Sequence, residues 1–364
     1  MNYQAQGVLP YQSINEMIDQ SVVWADNFLS DDQVQPSSLD LRLSTKAWRL
    51  QASFLPGKKN KVIDQLPDLA MHEIDLSTGS IFEKNCVYLV LLQESASLPR
   101  GISAIANAKS SIGRLDLLTR LITDYGTEFD RIPQEYCGPL YAEISPRSFS
   151  VLVKYGSRLN QIRFRRGKVI VNDKDLVKLN KKEGLTGKHA IVDGGISFSV
   201  DLEQYQKQAI GYKAKPNAPL IDLEKINFYE INDFWDQIEV KAGRLILDPG
   251  AFYILMSKET VTVPPEFAAE MAPYLAMVGE FRVHYAGFFD PGFGFSLTGD
   301  TVSRGVLEIR CYESPFALRS GQIIGRLIYE RMAEIPELLY GSELKSNYQG
   351  QKLKLSKHFK NQKD

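Results

Sequence analysis

The run Lys109-Ser110-Ser111-Ile112-Gly113-Arg114 sets two hydroxyls between a lysine and an arginine, just ahead of a stretch with helical spacing. Unpaired amides at a helix start, two hydroxyls and two cations can together cradle phosphate oxygens. A Ser-rich helix cap with solvated basic neighbours is the plainer alternative. Other chemistry-bearing residues give less. His72, His189, His284 and His358 show no ligand spacing, and Cys86, Cys137 and Cys311 never form a Cys-x-x-Cys pair, which argues against a cysteine zinc site and a disulfide framework. Asp124, Glu128 and Asp130 could mimic a paired-carboxylate site, but helical spacing among polar neighbours favours an exposed face. The basic runs RFRRGK (Arg163 to Lys168) and KLKLSKHFKNQK near the end read as solvated faces, not as a nucleic-acid surface.

The elements that must position such residues are mostly strands. CVYLVLL, FSVLVKYG, QIRFRRGKVIVN, RLILDPGAFYILM, RGVLEIRCYE and QIIGRLIYE combine β-branched and aromatic residues with Gly or Pro boundaries, which predicts an antiparallel β core. Helical spacing is expected in three places: SINEMIDQSVVWADNFL, GRLDLLTRLITDYG after Gly113, and PPEFAAEMAPYLAM after Val263.

The pattern occurs twice. Ile74 to Pro99 parallels Leu245 to Pro264 or Pro265. Each is followed by a stretch of helical spacing, a Gly and a short strand ending in Glu: CGPLYAEI with Glu143, RGVLEIR with Glu308. A strand, a Gly and another strand complete each copy. The expected organisation is a first repeat over 1–183, a connection over 184–217 and a second repeat over 218–364.

QPSSLDLRL (Gln35 to Leu43), KSSIGR, GPLYAE and GSRLNQIRF, in that order, resemble the dCTP deaminase and dUTPase family. The turn FFDPGFG (Phe288 to Gly294) and the tail residues Tyr340, Tyr348 and Gln351 extend the likeness, with Asn347 where the tail pattern has Lys and Lys345 nearby. The resemblance implies a mainly β fold of two tandem dUTPase-like units, each a distorted jelly-roll or β-barrel (β-clip) with a few helices. It implies hydrolytic deamination of dCTP to dUTP and ammonia. Glu308 would serve as general base and then acid on a water held by Ser110 and the backbone carbonyl of Ala286, with Arg114 fixing carboxylate and hydroxyl. Lys109, Ser111, Ile112, Gly113 and Gln161 would bind the triphosphate, Asp290 the deoxyribose, and Tyr340 and Gln351 the substrate from the tail. No metal or cofactor is implied for catalysis. Mg²⁺ would accompany the triphosphate, dTTP would act as inhibitor, and the chain would form a homo-oligomer. The zinc deaminase signature H-x-E…P-C-x-x-C is absent from the sequence. Alternatives are a dUTP diphosphatase, a bifunctional enzyme making dUMP, and a catalytically inactive nucleotide-binding regulator.

Each copy also serves as a control for the other. LAMVGEF stands where the first copy has KSSIGRL, so Leu275, Ala276 and Glu280 replace Lys109, Ser110 and Arg114. RIPQEYCG stands where the second has FFDPGF, with Pro133 in place of Asp290, and Arg326 replaces Gln161. One composite site per chain is therefore expected, with phosphate groups from the first copy and nucleoside groups from the second. The duplicated dUTPases of herpesviruses resemble such a merger.

Bulk properties agree. Lys plus Arg (43) nearly balances Asp plus Glu (44) in 364 residues, so the overall field offers little attraction to a long polyanion. The longest apolar stretch, Val87 to Leu92, is too short to span a bilayer, and the beginning carries no basic segment followed by an apolar one. A cytoplasmic protein that binds neither nucleic acid nor membrane is expected.

Overall fold

A computed structural model gives the fold, and it describes residues 5–186, 190–203, 209–240, 243–273, 281–283, 287–296, 303–341 and 348–360. The chain divides into two units. The first comprises Met1–Val169, Pro219–Ile226 and Met332–Glu337, and the second Ile170–Ala218, Asn227–Arg331 and Leu338–Asp364.

In the first unit the strands are β1 (Leu39–Leu50), β2 (Val87–Ser97), β3 (Ile102–Ala108), β4 (Leu117–Thr123), β5 (Arg131–Ile132), β6 (Cys137–Pro146) and β7 (Arg158–Arg166). They pair in the order β4-β6-β2-β1-β7-β3-β5. The second unit has β8 (Ile196–Asp201), β9 (Phe252–Thr260), β10 (Phe267–Pro273), β11 (Phe281–Val283), β12 (Phe288–Phe289), β13 (Arg304–Cys311) and β14 (Ile323–Arg331). Their order, β11-β13-β9-β8-β14-β10-β12, is that of the first unit strand for strand. Every assigned pair in these two series is antiparallel. Both units are mainly β, with barrel-like curled sheets and few helices.

Registers agree as well. Glu143 lies opposite Leu89 on β2, and Glu308 opposite Ile254 on β9. Ile132 pairs with Ala104 and Phe289 with Ala269, so Pro133 and Asp290 each follow the equivalent strand residue. A one-residue slip would turn every side chain of a strand to the opposite face, so such agreement reflects a common scaffold.

The described structure differs from the sequence expectation in several places. The leucine-rich stretch after Gly113 begins with a single helical turn, α2 (Ser110–Gly113), and then becomes β4. The stretch after Val263 becomes β10. Near the start, helix α1 spans only Tyr11–Asp19 and Val23–Ala25 is extended. Leu117, Thr119, Leu121 and Thr123 are all buried at period two, and ladder pairing with β6 overrides their helical propensity. The segment 184–217, expected as a connection, supplies the central strand β8 to the second unit. All six residues of β8 are buried, although Ile196, Phe198 and Val200 alternate with Ser197, Ser199 and Asp201. Helix α3 (Asp173–Glu183) also belongs to the second unit, where Leu176 joins the apolar core. Among the described residues no helix is long and apolar enough to cross a membrane.

Core packing in the second unit centres on Phe198, which is fully buried. A Cβ added at Gly305 would lie 2.4 Å from its Cε1 atom. Gly305→Ala is therefore expected to destabilise the second unit by roughly 1–3 kcal/mol through overpacking. Thermal unfolding should show the loss, and Phe198→Leu in the same chain should restore part of it. An unchanged transition in the single variant would refute this packing.

Candidate active site

In the first unit, β3 ends at Ala108 and the chain turns into α2, so that Lys109 to Arg114 follow directly from a paired strand. The turn is anchored by Lys109 N–H donating to Leu159 O at 2.9 Å, and by Gly113 N–H donating to Lys109 O at 3.0 Å. Ser111, Ile112 and Arg114 are buried, whereas Lys109 and Ser110 are partly open. The Lys109 ammonium contacts the Asp40 carboxylate on β1. Asp40 in turn lies opposite Gln161 of β7, whose side-chain oxygen accepts from Ser38 Oγ at 3.2 Å. Lys109 and Gln161 are thus brought together around Asp40.

Arg158, which sequence reasoning passed over, comes to 4.0 Å from the same carboxylate. It also makes two 2.9 Å bonds to Asp32, and these, helped by Ser30, lower the Asp32 carboxyl to about 2. Its only signal in the sequence was its place in GSRLNQ.

The first unit's own strand carboxylate is not free. Glu143, 1% exposed, faces Arg120 across the β6–β4 register. Arg120 Nε donates to Glu143 Oε1 at 3.1 Å and Arg120 Nη2 contacts the same oxygen. The guanidinium also lies 3.6 Å from the centre of the Phe129 ring and donates to Ser53 Oγ at 2.9 Å.

Asp124 and Asp130 are not the exposed face the sequence suggested. Asp124 is buried and accepts from Val62 N–H at 2.8 Å, and Asp130 accepts from Leu121 N–H at 2.7 Å. Both sit on or beside a strand, where helical spacing does not apply. Burial pushes the Asp130 carboxyl up to about 7, against the pull of that N–H and of Arg120. The basic run is not a wholly solvated face either, since Arg163 is fully buried and donates to Ser37 Oγ at 3.0 Å. A cleft of about 750 Å³ opens beside this region, lined by Thr123, Tyr125, Arg131, Tyr136, Cys137 and Arg165 among others. None of residues 109–114 lines it.

In the second unit, β13 carries Glu308, 5% exposed, between β9 and β11. The turn after β12 is a tight one. Phe293 N–H donates to Asp290 O at 3.1 Å, Gly292 adopts φ +97°, and Asp290 is buried. Tyr340 joins it, with its N–H donating to Pro291 O at 2.8 Å and its ring 5.6 Å from that of Phe293. Gln351 instead lies at the start of β13, with its Nε2 donating to Arg304 O at 3.0 Å. Ala286 lies outside the described residues, as do Leu275, Ala276, Glu280, Lys345 and Asn347.

Two topologically identical curled β units, one bearing the Lys-Ser-Ser-x-x-Arg turn and the other the aspartate turn and a buried strand glutamate, define a tandem protein of the dUTPase-like fold class. Residues 5–168 match the 2'-deoxycytidine 5'-triphosphate deaminase (DCD) N-terminal domain and residues 172–359 its C-terminal domain, so the chain belongs to the dCTP deaminase family. It is similar to a crystal structure titled 2'-deoxycytidine 5'-triphosphate deaminase from Agrobacterium tumefaciens, at 49% identity and a TM-score of 0.87, covering 90% of this chain and 100% of that one. A Leifsonia xyli protein named "dCTP deaminase, dUMP-forming" is 34% identical over 191 residues, which is 50% of this chain and 87% of the relative. A Natronomonas pharaonis protein named "dCTP deaminase" is 32% identical over 129 residues, 34% of this chain and 60% of the relative. The chain spans 54 to 60% of the length of several curated relatives that it matches.

Because the folded-state value of Asp130 lies above the ordinary carboxylate value, the unfolded chain loses this proton first as pH rises. Stability should therefore fall between about pH 4 and about pH 7 and then level off. Asp130→Asn keeps the acceptor for Leu121 and removes the titration. Urea unfolding should show the variant gaining on the order of 1–2 kcal/mol over the parent at pH 8 and little at pH 4. The same difference at both pH values would refute the assignment.

Proposed function

We propose that the chain hydrolytically deaminates dCTP to dUTP and ammonia, with triphosphate groups supplied by the first unit and nucleoside and reacting groups by the second. The observation that supports this reading is the complementary loss between two copies of one scaffold: the first keeps Lys-Ser-Ser-x-x-Arg where the second has LAMVGE, and the second keeps Asp290 where the matching register gives Pro133 in the first. Water attack at C4 of cytosine needs a base, and the ring N3 and departing ammonia need an acid. Glu308, buried on β13, can do both in turn. In this reading Ser110 and the Ala286 carbonyl hold the water, and Arg114 fixes the Glu308 carboxylate and the Ser110 hydroxyl. Lys109, Ser111, Ile112, Gly113 and Gln161 bind the triphosphate, which brings its own Mg²⁺. Asp290 takes the deoxyribose, and Tyr340 and Gln351 close on the substrate from the tail. The chain acts in the cytoplasm as a homo-oligomer, with dTTP as inhibitor.

A second reading, a bifunctional enzyme that also removes pyrophosphate to yield dUMP, is favoured by relatives named as dUMP-forming. Measuring ammonia and pyrophosphate together, with dCTP and dUTP as separate substrates, distinguishes the two.

Arg114→Ala and Glu308→Gln should each lower ammonia release from dCTP by at least about 10²-fold. Glu143→Gln should lower the melting temperature, since it weakens a buried ion pair, yet spare most turnover per folded molecule. Equal loss of turnover at Glu143 would show that the first unit holds a working site of its own.

A further inference from the structure

The tail motif draws attention to Gln351, but a different glutamine touches the nucleoside turn. Gln349 Oε1 accepts from Gly294 N–H at 3.1 Å, and Gln349 Nε2 donates to Gly292 O at 3.2 Å. One carboxamide thus satisfies an N–H and a C=O two residues apart on the same turn. Only Asn and Gln carry donor and acceptor together in this form, and of the two Gln has the longer reach.

The residues after it are fastened elsewhere. Gly350 N–H donates to Ser303 Oγ at 3.0 Å, Arg304 N–H donates to Gln351 O at 2.9 Å, and Gln351 Nε2 returns a bond to Arg304 O at 3.0 Å. Ser303 and Arg304 stand at the head of β13, the strand that carries Glu308. Three consecutive tail residues therefore clip the Asp290 turn to the Glu308 strand. Room for the carboxamide depends on glycine. A Cβ at Gly341 would lie 2.7 Å from Gln349 Cδ, and one at Gly292 would lie 2.8 Å from Tyr340 O. The far end of the tail is pinned as well, because Phe359 packs 5.3 Å from Phe234 and 5.9 Å from Trp235, and Lys360 N–H donates to Tyr229 O at 2.9 Å.

We propose that Gln349 is a positioning residue for the nucleoside: its carboxamide fixes the Gly292 to Gly294 turn and holds Asp290 in register with Glu308. The proposal rests on the reading above that this turn receives the nucleoside. A loosened turn would bind the sugar less well while leaving Glu308 chemically intact, so binding should suffer more than turnover.

The test uses the full chain with Gln349→Ala and with Gln349→Met, which keeps the bulk and loses both hydrogen bonds. Expected are a rise of tenfold or more in KM for dCTP with kcat changed less than threefold, and faster amide hydrogen exchange at Gly294 and Phe295, in both variants. Unchanged exchange at these amides in Gln349→Met overturns the proposal whatever the activity. Should the parent chain fail to deaminate dCTP, the functional reading fails, yet the exchange measurement still decides whether Gln349 holds the turn. A lower melting temperature with KM and exchange at 294 and 295 unchanged also overturns it, since that marks a general packing role.

Discussion

A carboxylate buried on a central strand must be neutralised, paired or put to use, and the two units answer this constraint differently at one scaffold position. Glu143 and Glu308 sit opposite equivalent residues of β2 and β9, both almost wholly out of solvent. Taking such a group from water costs several kcal/mol unless a partner compensates. In the first unit, antiparallel pairing with β4 sets Arg120 opposite the glutamate, and Phe129 covers the guanidinium. The chain thereby spends a potential base on internal stability. The same strand position in the second unit, Glu308, lies between β9 and β11 and is as deeply buried.

The phosphate motif follows the same logic with opposite sign. Lys109 and Arg158 share the Asp40 carboxylate, so the cationic turn is held by a buried anion before any substrate arrives. Asp40 pairs in register with Gln161, whereas the equivalent pair on β8 and β14 is Ser197 with Arg326. That position in the second unit carries its positive charge on the strand, and its acid partner is Asp193 of a neighbouring turn, at 3.4 Å. The ladder is common to both units, and only the side chains on its rungs decide which chemistry each supports.

Much of this was legible from residues alone because repeats betray themselves by order. The Glu-ending strands and the Pro133-for-Asp290 exchange survive as matching registers. What escaped has identifiable physical causes. LLTRLIT reads as helix because leucine and arginine favour helices, and only partner strands 20 or so residues away in sequence reverse that preference. ISFSVD alternates apolar with polar residues as a strand does, but it is short and set among glycines and polar residues, and nothing local shows that its serines and Asp201 are buried as fully as Phe198. Asp130 looked exposed because nothing local announces that Leu121 N–H will claim it. Gln349 went unnoticed for the same kind of reason: its partners lie 55 and 57 residues earlier in the chain.

Duplication explains why such different rung residues coexist with so constant a ladder. Strand order and apolar packing are required by each unit separately, since a curled sheet that loses a central strand exposes both its core and unpaired backbone groups. Chemical residues are under no such local requirement once a sibling carries them. Pro133 in the place of Asp290 therefore leaves the first unit's fold intact, and Glu143 there pairs with Arg120 across the ladder. The buried Arg120–Glu143 pair is thus a contact internal to the first unit's own strand ladder.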